Sequence, residues 1–349
     1  MSKPLNRDYR LTGADGFAAA QNGLASAQWY ATPLPRALMK TLMRREDAPA
    51  IRDTLIWFGA LLASGAAGVA LWGSWWAALP FAAYGVLYGS ASDSRWHETS
   101  HGTAFRTRWM NDAVYQIACF MLLREPTVWR WSHARHHTDT LIVGRDPEIA
   151  SPRPPSFFHL LLSLFAIPSG LKTIRRLFLH ATGRLTAEET SFIPTTEWPK
   201  VYATARLWLA LFTALIGTCA AWHSLLPAML IGLPTFYGAW LSLVFGLTQH
   251  AGLAEDVTDH RLNCRTVYMN PVFRFLYWNM NYHVEHHMFP MVPYHALPKL
   301  HAAMKHDCAP VYPSTWAAYR EIIPALIRQS RDPHHFVPRA VPAPQAKAA

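Results

Sequence analysis

The chain is 349 residues long, 51% hydrophobic and only 15% charged, with a net charge of +10 at pH 7; a typical soluble domain carries roughly 25% charged residues. Lys and Arg crowd the first 52 residues, the stretch 106–206 and the C-terminal third, while the long apolar runs between them carry almost none. That distribution argues for membrane-surface charge and against a nucleic-acid partner. The four cysteines, Cys119, Cys219, Cys264 and Cys308, lie far apart with no C-x-x-C, which argues against a disulfide framework or a thiolate metal site.

In chain order, residues 1–50 read as a polar to amphipathic N-terminal segment on the cytoplasmic side. No signal peptide is expected, because this segment precedes the first apolar run. Within it, Ala31–Arg45 is either a basic surface helix with Leu38, Met39, Leu42 and Met43 on its apolar side or an ordinary surface segment. Thr54–Trp72 is an uncharged apolar run, broken at Gly73 and Ser74, and Trp75–Ser90 continues it. The two together exceed the ~20 residues of one spanning helix and predict a hairpin, with Trp72, Trp75 and Trp76 as an aromatic belt. Frequent Gly and Ala permit close helix packing there. A second hairpin is predicted from Val201–Trp222 and Leu225–Leu247, turning at His223 and Ser224, with Arg206 able to snorkel.

The expected spans are therefore 54–72, 75–90, 201–222 and 225–247. Uncharged turns on one side and basic flanks on the other put both termini and the middle segment in the cytoplasm. The apolar patches Val114–Leu123 and Phe157–Ile167 are too short to span and are expected as interfacial or core helices. Pro152, Pro154 and Pro155 mark a loop. Residues 51–310 form the membrane domain and 311–349 a cytoplasmic tail. Its Pro/Ala-rich end, Val337–Ala349, is expected to be disordered. The predicted fold is all-α and membrane-integral: four transmembrane helices in two hairpins under a cytoplasmic helical cap.

The chemistry lies in three histidine boxes. Two share the pattern H-x-x-H-H: His133, His136 and His137 in HARHH, and His283, His286 and His287 in NYHVEHHMFP. The third is His97 and His101 in HETSH. All three fall on the predicted cytoplasmic side. Residues three or four apart share a helix face, so each box can offer ligands to a metal. Imidazole suits iron, zinc and copper. Eight imidazoles exceed the four ligands of one tetrahedral zinc and suit two metal ions. A histidine-rich pair of metals at the mouth of a membrane bundle points to oxygen activation for attack on an apolar C–H bond. HETSH also satisfies H-E-x-x-H, the zinc metalloprotease motif, with Glu98 as general base. An intramembrane zinc protease is thus the competitor, though it leaves the other boxes without a role. Under the oxygenase reading Glu98 hydrogen-bonds to a ligand instead.

At these residues the chain resembles the membrane fatty acid desaturase and hydroxylase superfamily, over roughly residues 54–310. That superfamily has four transmembrane helices in two hairpins and three cytoplasmic histidine boxes, matched here by His97 and His101, by His133, His136 and His137, and by His283, His286 and His287. The resemblance implies a non-haem centre of two iron ions (Fe2+) with O2 as co-substrate. It also implies a ninth ligand, His250 in GLTQHAG. Some members carry an Asn four residues before that histidine; Gly246 stands there in this chain, and Gln249 is a weak substitute. Asp146 in GRDPE resembles the acidic-Pro steps that follow the second box in many members. It would either support a ligand imidazole or form a turn before Pro147. Asn279 and Asn281, beside the last box, have the same standing. The other histidines, His159, His180, His223, His260, His295, His301, His306, His334 and His335, read as surface or structural.

The resemblance implies an oxidoreductase that removes hydrogen from a methylene of an apolar, acyl-type substrate. A fatty acid (acyl-lipid) desaturase is the leading reading, and a di-iron hydroxylase or monooxygenase of an alkane, lipid or small metabolite is the alternative. No haem, iron–sulfur, flavin or nicotinamide motif is present in the sequence. A separate electron donor of ferredoxin or cytochrome b5 type, with its reductase, is therefore implied. Arg dominance over Lys and the Ala content suggest a bacterial inner membrane.

Overall fold

The computed structural model describes residues 7–343; the ends of the two predicted terminal segments lie outside the described residues. The architecture is helical, and among the described residues extended pairing is limited to two isolated bridges, Thr266 with Tyr282 and Val267 with Tyr312. The chain divides into two compact units. One comprises Asp47–Trp131 and Phe157–Val244. The other comprises the residues up to Glu46, Ser132–Ser156 and the residues from Phe245 onward.

The first unit is apolar. Its helix Asp47–Ala70 runs 24 residues, and Asp47 fixes its start by accepting the Thr107 backbone N–H at 2.9 Å. It forms the main part of Arg36–Ala70, one of two stretches long and apolar enough to cross a membrane; the other is Thr195–Ala221. Leu55, Ile56 and Leu62 on the first, and Leu207, Leu211 and Ile216 on the second, are exposed. Apolar side chains exposed along such a helix suit hydrocarbon, not water. Trp72, Trp75 and Trp76 are exposed at the turn that follows the first helix.

The return legs differ from the expected continuous helices. Residues 75–90 form a short 3-10 turn at Trp75–Ala77, an α-helix at Ala78–Gly85 and a π-helical turn at Val86–Ser90. An α-helix at Ala91–Ser100 continues the same leg. Residues 225–247 fall into three pieces, Leu226–Leu230, Pro234–Tyr237 and the start of Trp240–His250. The cause is local: Pro227 and Pro234 each lack a backbone N–H, and Gly232 takes a φ of 87°. Small residues then let the two legs touch. A Cβ on Gly238 would sit inside the Gly85 carbonyl group. Ser90 Oγ donates to the Gly238 carbonyl at 2.5 Å, and Trp57 Nε1 donates to the Leu87 carbonyl, inside the π turn, at 2.8 Å.

The patch at Phe157–Ile167 is also more than a short helix. Phe157–Ser163 and Ile167–Ala181 are together long and apolar enough to cross a membrane, with a 73° bend between them. Val114–Leu123 falls on the helix Arg108–Met121. Its buried face, Tyr115, Ala118 and Cys119, packs with Trp96, Leu177, Ala205 and Trp208. His180 is buried here and bonds Glu189 at 3.1 Å.

The second unit is more polar and holds most of the histidines. Its N-terminal segment is tied to residues far along the chain: Tyr30 and Thr32 both donate to Asp307 at 2.7 Å, and Tyr9 donates to Glu255 at 3.0 Å. Arg261 is fully buried, bridges Asp259 and Asp307, and lies 3.7 Å over the Tyr30 ring. The tail is held as well, where composition predicts disorder. Val337 N–H donates to the Gly252 carbonyl at 2.9 Å, and Arg339 bonds the Tyr312 hydroxyl. Backbone and arginine contacts thus supply what the Pro/Ala composition lacks.

Candidate metal centre

The boxes sit on helix ends. Ala91–Ser100 carries His97, with His101 as its C-cap residue. The two rings lie 5.7 Å apart, one helical turn along. HARHH occupies the last turns of Pro126–Thr138, and the last box forms the six-residue helix His283–Met288. His250 ends Trp240–His250.

In the second unit His136, His250, His283 and His287 converge, with a ring nitrogen of each lying within 4.8 Å of one from every other. Metal–nitrogen bonds of ~2.1 Å set ligand nitrogens about 3 to 4 Å apart, so the spacing suits one ion. The proton positions make the same point. His250 Nδ1–H donates to the Asn263 carbonyl at 2.8 Å, which leaves its Nε2 as a lone pair. Thr140 donates its hydroxyl to the His136 carbonyl at 2.7 Å, so it accepts from His287 Nδ1–H at 3.1 Å. His287 Nε2 is therefore a lone pair too. Both Nε2 atoms point at His283 Nε2, at 2.9 and 3.0 Å. A neutral His283 can donate from Nε2 to one of these lone pairs, and a cation among the three nitrogens would satisfy all of them, so the donor set fits a metal ion.

A second group in the same unit is His133, His137 and His286, whose nitrogens also lie within 4.8 Å of one another. His133 Nε2 and His137 Nε2 are 3.2 Å apart, and His133 Nδ1 donates to Glu148 Oε2 at 3.1 Å.

Carboxylates back the middle box. Asp146 accepts from His136 Nδ1 at 2.9 Å and from the Leu141 backbone N–H at 2.8 Å. It therefore both supports an imidazole and shapes its own turn, the two roles its sequence context offers. The turn is tight: Gly144 has a φ of 72°, and a Cβ on Gly16 would lie 2.4 Å from the Gly144 carbonyl. Burial works against a charged His136, but Asp146 and Glu148 outweigh it and hold the imidazole pKa above its ordinary value. Two other candidate ligands move the opposite way. Burial, then the neighbouring His136, pushes His250 down to about 3. Burial and four surrounding imidazoles hold His287 well below its usual range. Neutral imidazole is the form that binds metal.

The last box is propped from behind. Glu285 accepts from His301 Nδ1 and from the Thr266 hydroxyl, both at 2.5 Å, and all three residues are buried. His260 stacks on Trp29 with ring centroids 4.2 Å apart. It lies with Cys264 beside His287, and burial lowers its pKa to about 3.

Other residues singled out by the sequence bond elsewhere. Glu98 accepts the Thr103 hydroxyl at 2.7 Å. Gln249 donates to the Tyr277 hydroxyl at 2.6 Å. Asn279 bridges Arg274 and the Tyr294 carbonyl, and Asn281 pairs with Val267. The three amides thus hold backbone and neighbours in place, and among the described residues they hydrogen-bond no box imidazole. Sequence reading missed Glu148, Thr140, Asn263 and Glu285. Of these only Glu148 carried a signal, as a second carboxylate in the GRDPE turn.

The family model for fatty acid desaturases matches residues 70–319. A Delta(12)-acyl-lipid-desaturase from Punica granatum is 25% identical over 295 residues, covering 69% of this chain and 71% of the plant protein. Since the family model covers most of the chain and every histidine box, the chain belongs to the fatty acid desaturase family and is an oxidoreductase.

Proposed function

We propose that this protein is a membrane-bound, O2-dependent di-iron desaturase of acyl lipids. The observation that carries the reading is the convergence of His250 Nε2 and His287 Nε2 on His283 Nε2, with both Nδ1 protons committed elsewhere. One iron would be held by His136, His250, His283 and His287. His133, His137 and His286 would hold the second. His97 and His101 are assigned as metal ligands by the box pattern. When bound, the iron pair supplies O2 activation and removal of hydrogen from an unactivated C–H bond.

The chain's own part is orientation. Asp146 fixes the His136 ring and makes it a stronger donor, and Glu148 does the same for His133. Thr140 and the Asn263 carbonyl fix the Nε2 atoms of His287 and His250 as ligands. Asn263 itself is held by the Thr140 carbonyl, to which its amide donates at 3.1 Å. The exposed apolar faces of the long helices suit a bilayer, which supports an integral membrane enzyme with four crossings, both termini cytoplasmic, and an apolar acyl substrate. The name of the plant relative supports the acyl-lipid class. Electrons would come from a separate ferredoxin or cytochrome b5-type donor with its reductase. A bacterial inner membrane remains the proposed location.

The test is expression with such a donor system, followed by mass spectrometry of the host acyl lipids and metal analysis of the purified protein. Products two mass units lighter and about two iron per chain are expected. Products sixteen units heavier would replace desaturation by hydroxylation. One zinc per chain with no altered lipid would overturn the reading.

A further inference from the structure

The last helix, Thr315–Gln329, is apolar on two opposite faces. Ser314 caps its start by accepting the Ala317 N–H at 3.1 Å. Ala318, Ile322, Ala325, Leu326 and Gln329 form its buried face. Residues at steps of three and four share a face, and at those steps a second stripe runs along the outside. Trp316 is 72% exposed, Ile323 48% and Ile327 44%, with Arg320 between the first two. The stripe is roughly 16 Å long at 1.5 Å per residue. Just past the helix Phe336 is 46% exposed.

The charge on this side is mainly positive, with Asp332, just past the helix, as an exposed acid. Arg320, Arg328 and Arg331 are exposed, and among the described residues no side-chain carboxylate pairs with them. Glu321, the acidic residue of the helix, is turned away to Arg265 at 3.1 Å and Arg339 at 3.8 Å. A water-facing helix gains nothing from leaving a Trp and two Ile uncovered in line. An acidic headgroup layer satisfies both halves of the pattern. The Trp and Ile side chains enter the acyl boundary, and the arginines lay their stems along it and reach up to phosphate.

We infer that the outer face of Thr315–Gln329 is a membrane-surface docking face, and that its partner is an anionic lipid bilayer. It would hold this unit against a bilayer surface. The inference rests on the membrane reading but not on the reaction, since a hydroxylase would need the face equally.

The test uses the full-length protein in lipid nanodiscs. Ile323→Cys is labelled with an environment-sensitive fluorophore, and signal from the native cysteines is measured on the unsubstituted protein and subtracted. Discs of phosphatidylcholine with phosphatidylglycerol are compared with phosphatidylcholine alone. The label is expected to report an apolar surrounding in the anionic discs. Arg320→Gln, Arg328→Gln and Arg331→Gln should each weaken the anionic preference roughly fivefold. Unchanged iron content and melting would show that these variants remain folded. A label that stays aqueous in both discs overturns the inference. So does one that is shielded only when an acidic [2Fe–2S] ferredoxin is added, since the face would then belong to the electron donor. If the label is immersed but no lipid product forms, the docking face stands and the proposed reaction falls.

Discussion

The two H-x-x-H-H boxes have the same spacing and opposite surroundings. HARHH ends a 13-residue helix, and its imidazoles are backed by carboxylates, Asp146 on His136 and Glu148 on His133. HVEHH makes a helix of only six residues. His287 is backed by the neutral Thr140 hydroxyl, and the carboxylate of this box, Glu285, points at Thr266 and His301. In the first box carboxylates raise the basicity of His136. In the second a carboxylate holds a helix too short to hold itself. An identical motif therefore fixes which nitrogens can converge, and the atoms behind it fix their charge.

The contrast can be broken first with pH. His250 and His260 have pKa values of about 3 against 6.5 in the unfolded chain. In the metal-free protein the unfolded state then binds more protons below 6.5, so stability is full above 6.5 and falls as pH drops toward 3. His136 has the opposite sign: its raised pKa contributes stability below 6.5 that is lost as pH rises through the folded value. His287, in the last box, is held low like these two, so three depressed imidazoles outnumber one raised one, and melting of metal-free protein should drop steeply from pH 7 to pH 4. A flat profile would refute the contrast.

Next, Glu285→Ala removes one partner of a buried pair and should cost about 3–5 kcal/mol. Hydrogen exchange should rise in His283–Met288 and leave the HARHH helix protected; equal loosening of both would mean the prop is not specific. Smaller again, Asp146→Asn should weaken metal affinity about 10–100-fold, the usual cost of losing a partner behind a ligand. Thr140→Val, which removes a neutral partner, should cost less. Competition with a metal-binding dye measures both, and equal losses would erase the distinction between charged and neutral backing.

Local spacing made the candidate ligands legible. His133 to His137 and His283 to His287 announce themselves by three- and four-residue steps, whereas His250 rested on the family pattern. Asp146 was readable from GRDPE. Thr140, Asn263 and Glu285 were not, because their roles depend on contacts across the fold: Asn263 stands 123 positions from its Thr140 partner, and Thr140 stands 147 from His287. The long helices followed from uncharged runs. Their return legs did not, since hydropathy does not register a φ of 87° at Gly232 or two prolines lacking an N–H. Ordering of the tail by the Gly252 carbonyl and Tyr312 is likewise invisible to composition.

The π turn at Val86–Ser90 works like a slack link in a screw thread. Each residue of an α-helix advances the azimuth by ~100°, and a π turn accommodates one residue more than the regular helix needs. Everything downstream, including His97 and His101, keeps its compass bearing because the turn takes up that surplus. Deleting one residue there would let the turn relax to regular helix and leave the bearing of both imidazoles nearly unchanged, whereas a deletion among residues 91–96 would swing them about a quarter turn around the axis.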